Sequence, residues 1–162
     1  MQHSLLFHRK ITAAPFTPLG HCDKQAGSYR VDTWIPGTLG GQTPKLIAII
    51  EDDESMQDSL CDLIESAGLV ARCFGSAGEF LQYDLHCEVG CLIAESQMPG
   101  MSGLELQARL KEEQCAIPII FIATSGGSRM RIQAMREGAV EFLAKPLDYQ
   151  LLLRTVRAAL DM

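Results

Sequence analysis

One stretch constrains this chain more than any other: Gly90-Cys91-Leu92-Ile93-Ala94-Glu95-Ser96-Gln97-Met98-Pro99-Gly100-Met101-Ser102-Gly103. Its first half is an apolar run long enough for one buried strand and too short for a helix. Its second half is dense in Gly, Pro and Ser, which makes a loop. Glu95 sits at the seam, at the carboxyl end of the strand, where open α/β sheets place their ligand crevice. Ser102 and Glu105 form a capping box that starts the next helix.

The same alternation runs from Lys45 to the end of the chain. Leu46-Ile47-Ala48-Ile49-Ile50 is apolar on both faces, as a central parallel strand must be. Asp53 caps a helix with an inner face of Met56, Leu60, Leu63, Ile64 and Ala67, and Gly68 ends it. Leu69 to Phe74 reads as a second strand. Ser76 and Glu79 read as a further capping box opening a short helix. Cys91 to Ala94 is the third strand, and Gly103 to Glu113 the third helix. Ile117 to Ala123 is the fourth strand, with Pro118 near its start, where a missing donor is tolerated. A helix from about Ser128 to Glu137 stops at Gly138, and Ala139 to Ala144 is the fifth strand. Asp148 caps a last helix buried through Leu152, Val156, Ala159 and Leu160. Five strands alternating with five helices imply a doubly wound α/β fold with a parallel sheet covered on both faces.

Residues 1–44 differ. They hold four Pro, five Gly and the only Trp, and carry net charge +2, whereas residues 45–162 carry -8. They read as an N-terminal extension without fixed structure, dispensable for folding. A binding segment using Trp34 and Tyr29, and an upstream stretch translated from a misplaced start, are the alternatives. The total charge of -6 argues against a nucleic-acid partner. No run is long enough for a membrane span, and residues 1–20 lack a continuous apolar h-region, so a secretory signal is not expected. The cysteines at 22, 61, 73, 87, 91 and 115 lack CxxC spacing and read as small buried hydrophobes of a reducing, cytoplasmic protein, without disulfide or metal role.

Three strand ends carry polar residues: Glu51-Asp52-Asp53-Glu54 after the first, Glu95 at the third and Lys145-Pro146 after the fifth. In a doubly wound sheet these ends converge. Carboxylates brought together repel unless a cation joins them, and a hard divalent cation such as Mg²⁺ suits oxygen ligands. Lys145 adds a point charge for a carboxylate or a phosphoryl group.

On these motifs, with Glu137-Gly138-Ala139 and Phe142-Leu143-Ala144-Lys145-Pro146, residues 46 to 160 resemble the receiver domain of bacterial two-component response regulators, most of all the FixJ-type branch. The resemblance implies the flavodoxin-like strand order 2-1-3-4-5. It also implies a phosphoryl group received from a histidine kinase on an Asp at the third strand end, with Mg²⁺ bound. Glu51 and Asp52 match the metal-binding acidic pair, and Gln97 the main-chain carbonyl of the metal shell. Lys145 matches the lysine that contacts the phosphoryl group, and Phe142 the aromatic that turns inward on activation.

Two positions depart from that pattern. The acceptor position is Glu95, not Asp. The hydroxyl residue of the fourth strand falls on Ala123, with Thr124 one step later. The extra methylene of Glu95 moves its carboxylate into the phosphoryl space, next to Lys145. The resulting expectation is a stand-alone, phosphorylation-independent receiver that binds Mg²⁺ weakly or not at all. No DNA-binding domain is expected after its fifth helix. It is expected to act by protein contact through the helix 4/strand 5/helix 5 face, as a monomer or weak homodimer and not as an enzyme. A conventional phosphoacceptor receiver is the alternative. An FMN-binding flavodoxin is the rival of another class, disfavoured because the acidic Glu51–Glu54 loop repels phosphate.

Overall fold

The computed structural model describes residues 45–124 and 127–161, so the expectations for residues 1–44 lie outside the described residues. Five strands, β1 (Leu46–Ile50), β2 (Val70–Phe74), β3 (Cys91–Glu95), β4 (Ile119–Ala123) and β5 (Glu141–Ala144), alternate with α1 (Glu54–Ser66), α2 (Ala77–Leu81), α3 (Gly103–Glu112), α4 (Ser128–Arg136) and α5 (Tyr149–Leu160). A 3-10 turn, His86–Glu88, precedes β3. All pairings are parallel and the order is β2-β1-β3-β4-β5. The alternation implies a doubly wound parallel sheet, and this strand order is the flavodoxin-like one that the receiver resemblance implies.

The helices start where polar side chains supply acceptors for otherwise orphaned amides. Asp53 accepts from Met56 N at 2.8 Å, and Asp148 from Gln150 N and Leu151 N at 3.0 Å. Ser102 and Glu105 close the full reciprocal box. The box expected at Ser76 and Glu79 is only half formed. Ser76 Oγ caps Glu79 N, but Glu79 Oε2 accepts from Gly75 N at 2.8 Å instead of returning to Ser76. Strands β4 and β5 are shorter than their apolar runs. Ile117 and Ala139 are buried ahead of the ladder without belonging to it.

The sheet separates two apolar layers by simple alternation. Ala48, Ile50, Leu92, Ala94 and Phe121 face Phe80 of α2, Leu106 and Leu110 of α3 and Ala134 of α4. Ile47, Ile49, Ile93, Ile120 and Ile122 face Leu60 and Ile64 of α1 and Leu152, Val156 and Ala159 of α5. The three central strands are buried on both sides, as their unbroken apolar runs require. Each fully buried Ile, Leu or Phe among them contributes about 1.5–3 kcal/mol. The result is a rigid platform whose carboxyl rim collects the polar strand ends.

The reading of the cysteines needs correction. It holds for Cys91, which is fully buried in β3 with its thiol pushed up to about 12 by desolvation. It fails for four others. Cys61 of α1 and Cys73 of β2 are disulfide-bonded, as are Cys87 and Cys115. Neither pair has a local spacing signal, because β-sheet register and the path of two loops bring the partners together.

Candidate phosphoacceptor site

Five parallel strands point their carboxyl ends to one rim, and the loops there enclose an open cleft of about 560 Å³. Glu51, Asp52, Glu95, Gln97, Thr124 and Lys145 all line it. Residues named from the sequence at three strand ends are thus brought together. The sequence did not single out Ser55 and Tyr149, and it assigned Met56 only to the inner face of its helix, yet all three also line the cleft. Their signal was positional only: they stand in the first turns of α1 and α5, directly after the polar strand ends.

Lys145 binds both buried carboxylates. Its Nζ donates to Glu51 Oε2 at 2.8 Å and lies 2.7 Å from Glu95 Oε2. Glu51 is 1% exposed and Glu95 4%, so both charges need a partner. Glu51 Oε1 also accepts from Asp53 N at 3.2 Å. Glu95 Oε1 accepts from Ser96 Oγ and Gln97 N, each at 3.2 Å. Glu95 is therefore held at one oxygen by its own loop and at the other by the lysine.

These contacts pull in opposite directions. Burial pushes the Glu51 carboxyl above its ordinary range, and the Lys145 and Asp53 donors offset only part of that. For Lys145 burial works downward, but the hydrogen bonds and charges of Glu51 and Glu95 outweigh it and hold the amine above its usual value. Two carboxylates around one amine leave the cleft negative.

Such a cleft fits a hard cation. Glu51, Asp52, Glu95 and Gln97 bring oxygen ligands to it, Asp52 is exposed at the mouth, and the buried Glu95 Oε2 meets only the Lys145 amine. Glu51, Asp52 and the Gln97 carbonyl are the residues that would hold Mg²⁺, in competition with Lys145 for Glu51.

The two departures from the receiver pattern are resolved differently. Ala123 ends β4 and is 1% exposed, packed in the same layer as Phe142. Its methyl belongs to the core, while exposed Thr124 lines the cleft. Phe142 is 2% exposed, with its ring centroid 6.1 Å from that of Phe121.

Residues 47–157 match the family model of the response regulator receiver domain. The chain is 43% identical over 117 residues to response regulator protein TodT of Pseudomonas putida, covering 72% of this chain and 52% of TodT. It is 42% identical over 125 residues to nodulation protein W of Bradyrhizobium diazoefficiens, covering 77% of this chain and 55% of that protein. It thus spans about half the length of the curated relatives it matches. Among solved structures, the N-terminal domain of FixJ superposes with a TM-score of 0.68 at 29% identity, covering 74% of this chain and 96% of that one. The response regulator StyR gives 0.68 at 38% identity, with 74% and 60% covered. The parallel 2-1-3-4-5 sheet, the Glu51 carboxylate on Lys145 and these matches agree: the chain belongs to the response regulator receiver domain family, the signalling module of two-component systems.

Proposed function

We propose that this receiver signals without phosphorylation, with Glu95 standing in for the charge that a phosphoryl group brings to Lys145. The observation that carries this reading is the 2.7 Å contact between Glu95 Oε2 and Lys145 Nζ. An Asp at this position is one methylene shorter. Glu95 spans the distance to the lysine and remains tied to Ser96 and Gln97. The burial of Phe142 supports the same reading, since the inward aromatic is the arrangement that the resemblance associates with activation.

Output then runs through protein contact at the α4/β5/α5 face. Ile132 and Met135 of α4 and Tyr149 and Leu151 of α5 are exposed large apolar residues, a composition suited to a partner protein. The partner class is a histidine kinase or a downstream regulator. Among the described residues no helix is long and apolar enough to cross a membrane.

A conventional acceptor role is the second reading, favoured by the retention of Glu51, Asp52, Thr124 and Lys145 around an open cleft. Mg²⁺ bound there would neutralise phosphoryl oxygens as charge moves to the acceptor. Native protein, Glu95→Asp and Glu95→Gln, each treated with acetyl phosphate and Mg²⁺, separate the two readings. Native protein should gain no acyl phosphate, whereas Glu95→Asp should gain some. Partner binding should persist in native protein and fall in Glu95→Gln. Phosphorylation of native Glu95, or equal binding by Glu95→Gln, overturns the proposal.

A further inference from the structure

We propose that His86, Cys87, Glu113 and Cys115 form a second metal site, for a zinc-class cation, at the amino rim of the sheet, and that the Cys87–Cys115 disulfide closes it. His86 and Cys87 lie in the turn before β3, while Glu113 and Cys115 follow α3 and precede β4. Both segments therefore lie at the opposite strand ends from Glu95 and Lys145. One ligand atom from each of the four residues lies within 4.8 Å of every other. Tetrahedral zinc with nitrogen, oxygen and sulfur ligands holds them roughly 3.4–3.8 Å apart, so small side-chain rotations suffice.

The imidazole supplies the independent observation. His86 Nδ1 is 2.8 Å from Tyr83 O. A carbonyl only accepts, so Nδ1 carries the proton. The other nitrogen, Nε2, lies 3.1 Å from Glu113 Oε2. In the neutral ring that nitrogen presents a lone pair to a carboxylate oxygen. Two acceptors at this distance need a cation between them, either a second proton or a metal. An Nδ1–H bonded to a backbone carbonyl is the arrangement that fixes a metal-ligating histidine. The ring is held further by Phe80, edge-on at 5.8 Å between centroids. Glu113 is oriented by Arg109 Nε at 3.1 Å. Gln114, with φ of 59°, turns the chain so that Cys115 is buried beside exposed Cys87.

The thiols decide when the site exists. As a disulfide their sulfurs are joined to each other. A trialkylphosphine and one water convert that bond to two thiols and a phosphine oxide, a two-electron reduction. Binding Zn²⁺ then releases both thiol protons to solvent, and the two thiolates, the imidazole and the carboxylate complete four ligands.

The test uses the full chain, reduced with phosphine, titrated with Co²⁺ and then Zn²⁺. Reduced protein should develop the visible absorption of tetrahedral thiolate-bound cobalt, and Zn²⁺ should abolish it. The oxidised protein, which needs no substitution, should develop none. His86→Asn and Cys115→Ser should lose the cobalt spectrum, and Glu113→Gln should bind at least tenfold more weakly. Glu51→Gln, in the cleft at the other rim, should leave it unchanged, as should the double variant Cys61→Ala/Cys73→Ala. Absence of the spectrum in reduced native protein overturns the proposal, as does its retention in His86→Asn or in the oxidised chain.

Discussion

Glu95 and Lys145 meet at 2.7 Å across the carboxyl rim, joining the end of β3 to the residue after β5. Since Lys145 also holds Glu51, one amine is the partner of two nearly inaccessible carboxylates. Removing one partner of such a group leaves a buried charge uncompensated, at about 3–5 kcal/mol. Lys145→Met should therefore lower stability by about that amount at pH 7. The folded-state pKa of Lys145 lies above its ordinary value of 10.5, so its contribution is present below that value and lost as pH rises through the folded pKa. Glu51 has a raised folded pKa, so its ionisation opposes folding as pH rises past 4.5. The deficit of Lys145→Met should consequently shrink as pH falls and Glu51 takes up a proton. Urea midpoints at pH 7 and pH 4.5 measure both effects.

The Glu95 main chain depends on a residue with no side chain. A Cβ on Gly103 would stand 2.8 Å from Glu95 O and 2.7 Å from the Phe121 ring. Gly103→Ala should destabilise the domain by about 1–3 kcal/mol through this overpacking. It should also shift the amide resonances of Ser96 and Gln97, which touch Glu95. Unchanged stability and spectra would show that α3 slides freely.

Mg²⁺ affinity should rise when Glu95 is shortened. Native Glu95 fills the space beside Lys145, whereas Glu95→Asp retracts its carboxylate. Titration calorimetry should find roughly tenfold tighter Mg²⁺ binding in Glu95→Asp, a difference of about 1.4 kcal/mol. Tighter binding by native protein would contradict this.

Ser102 opens α3 through a reciprocal cap. Ser102→Ala should cost about 1 kcal/mol. Glu105, whose carboxyl is held below its ordinary range by the Ser102 amide and hydroxyl, should titrate at higher pH in the variant. Carboxyl chemical shifts against pH read this directly.

Cys91 should be inert in the native state. Its thiol is fully buried and pushed up to about 12, so thiolate is scarce at pH 8. Iodoacetamide should modify it only after denaturation. Modification of the folded protein at the rate of the unfolded chain would show that β3 opens.

The sequence by itself determined the elements and their order. Apolar runs such as Leu46–Ile50 and Cys91–Ala94, helix caps at Asp53, Ser102 and Asp148, and stops at Gly68 and Gly138 are local signals, written within a few residues. The rim could be read for the same reason: strand ends of a parallel sheet converge, so Glu51, Asp52, Glu95 and Lys145 had to share a neighbourhood. What only the tertiary structure decided are relations between segments distant along the chain. Glu79 reaches Gly75 instead of Ser76, Thr124 takes the cleft while Ala123 takes the core, and Cys87 meets Cys115 beside His86 and Glu113. Spacing along the chain carries none of this. Side-chain distances of an ångström or two depend on how far each helix and loop carries its residues over the sheet, and packing of the whole core sets that path.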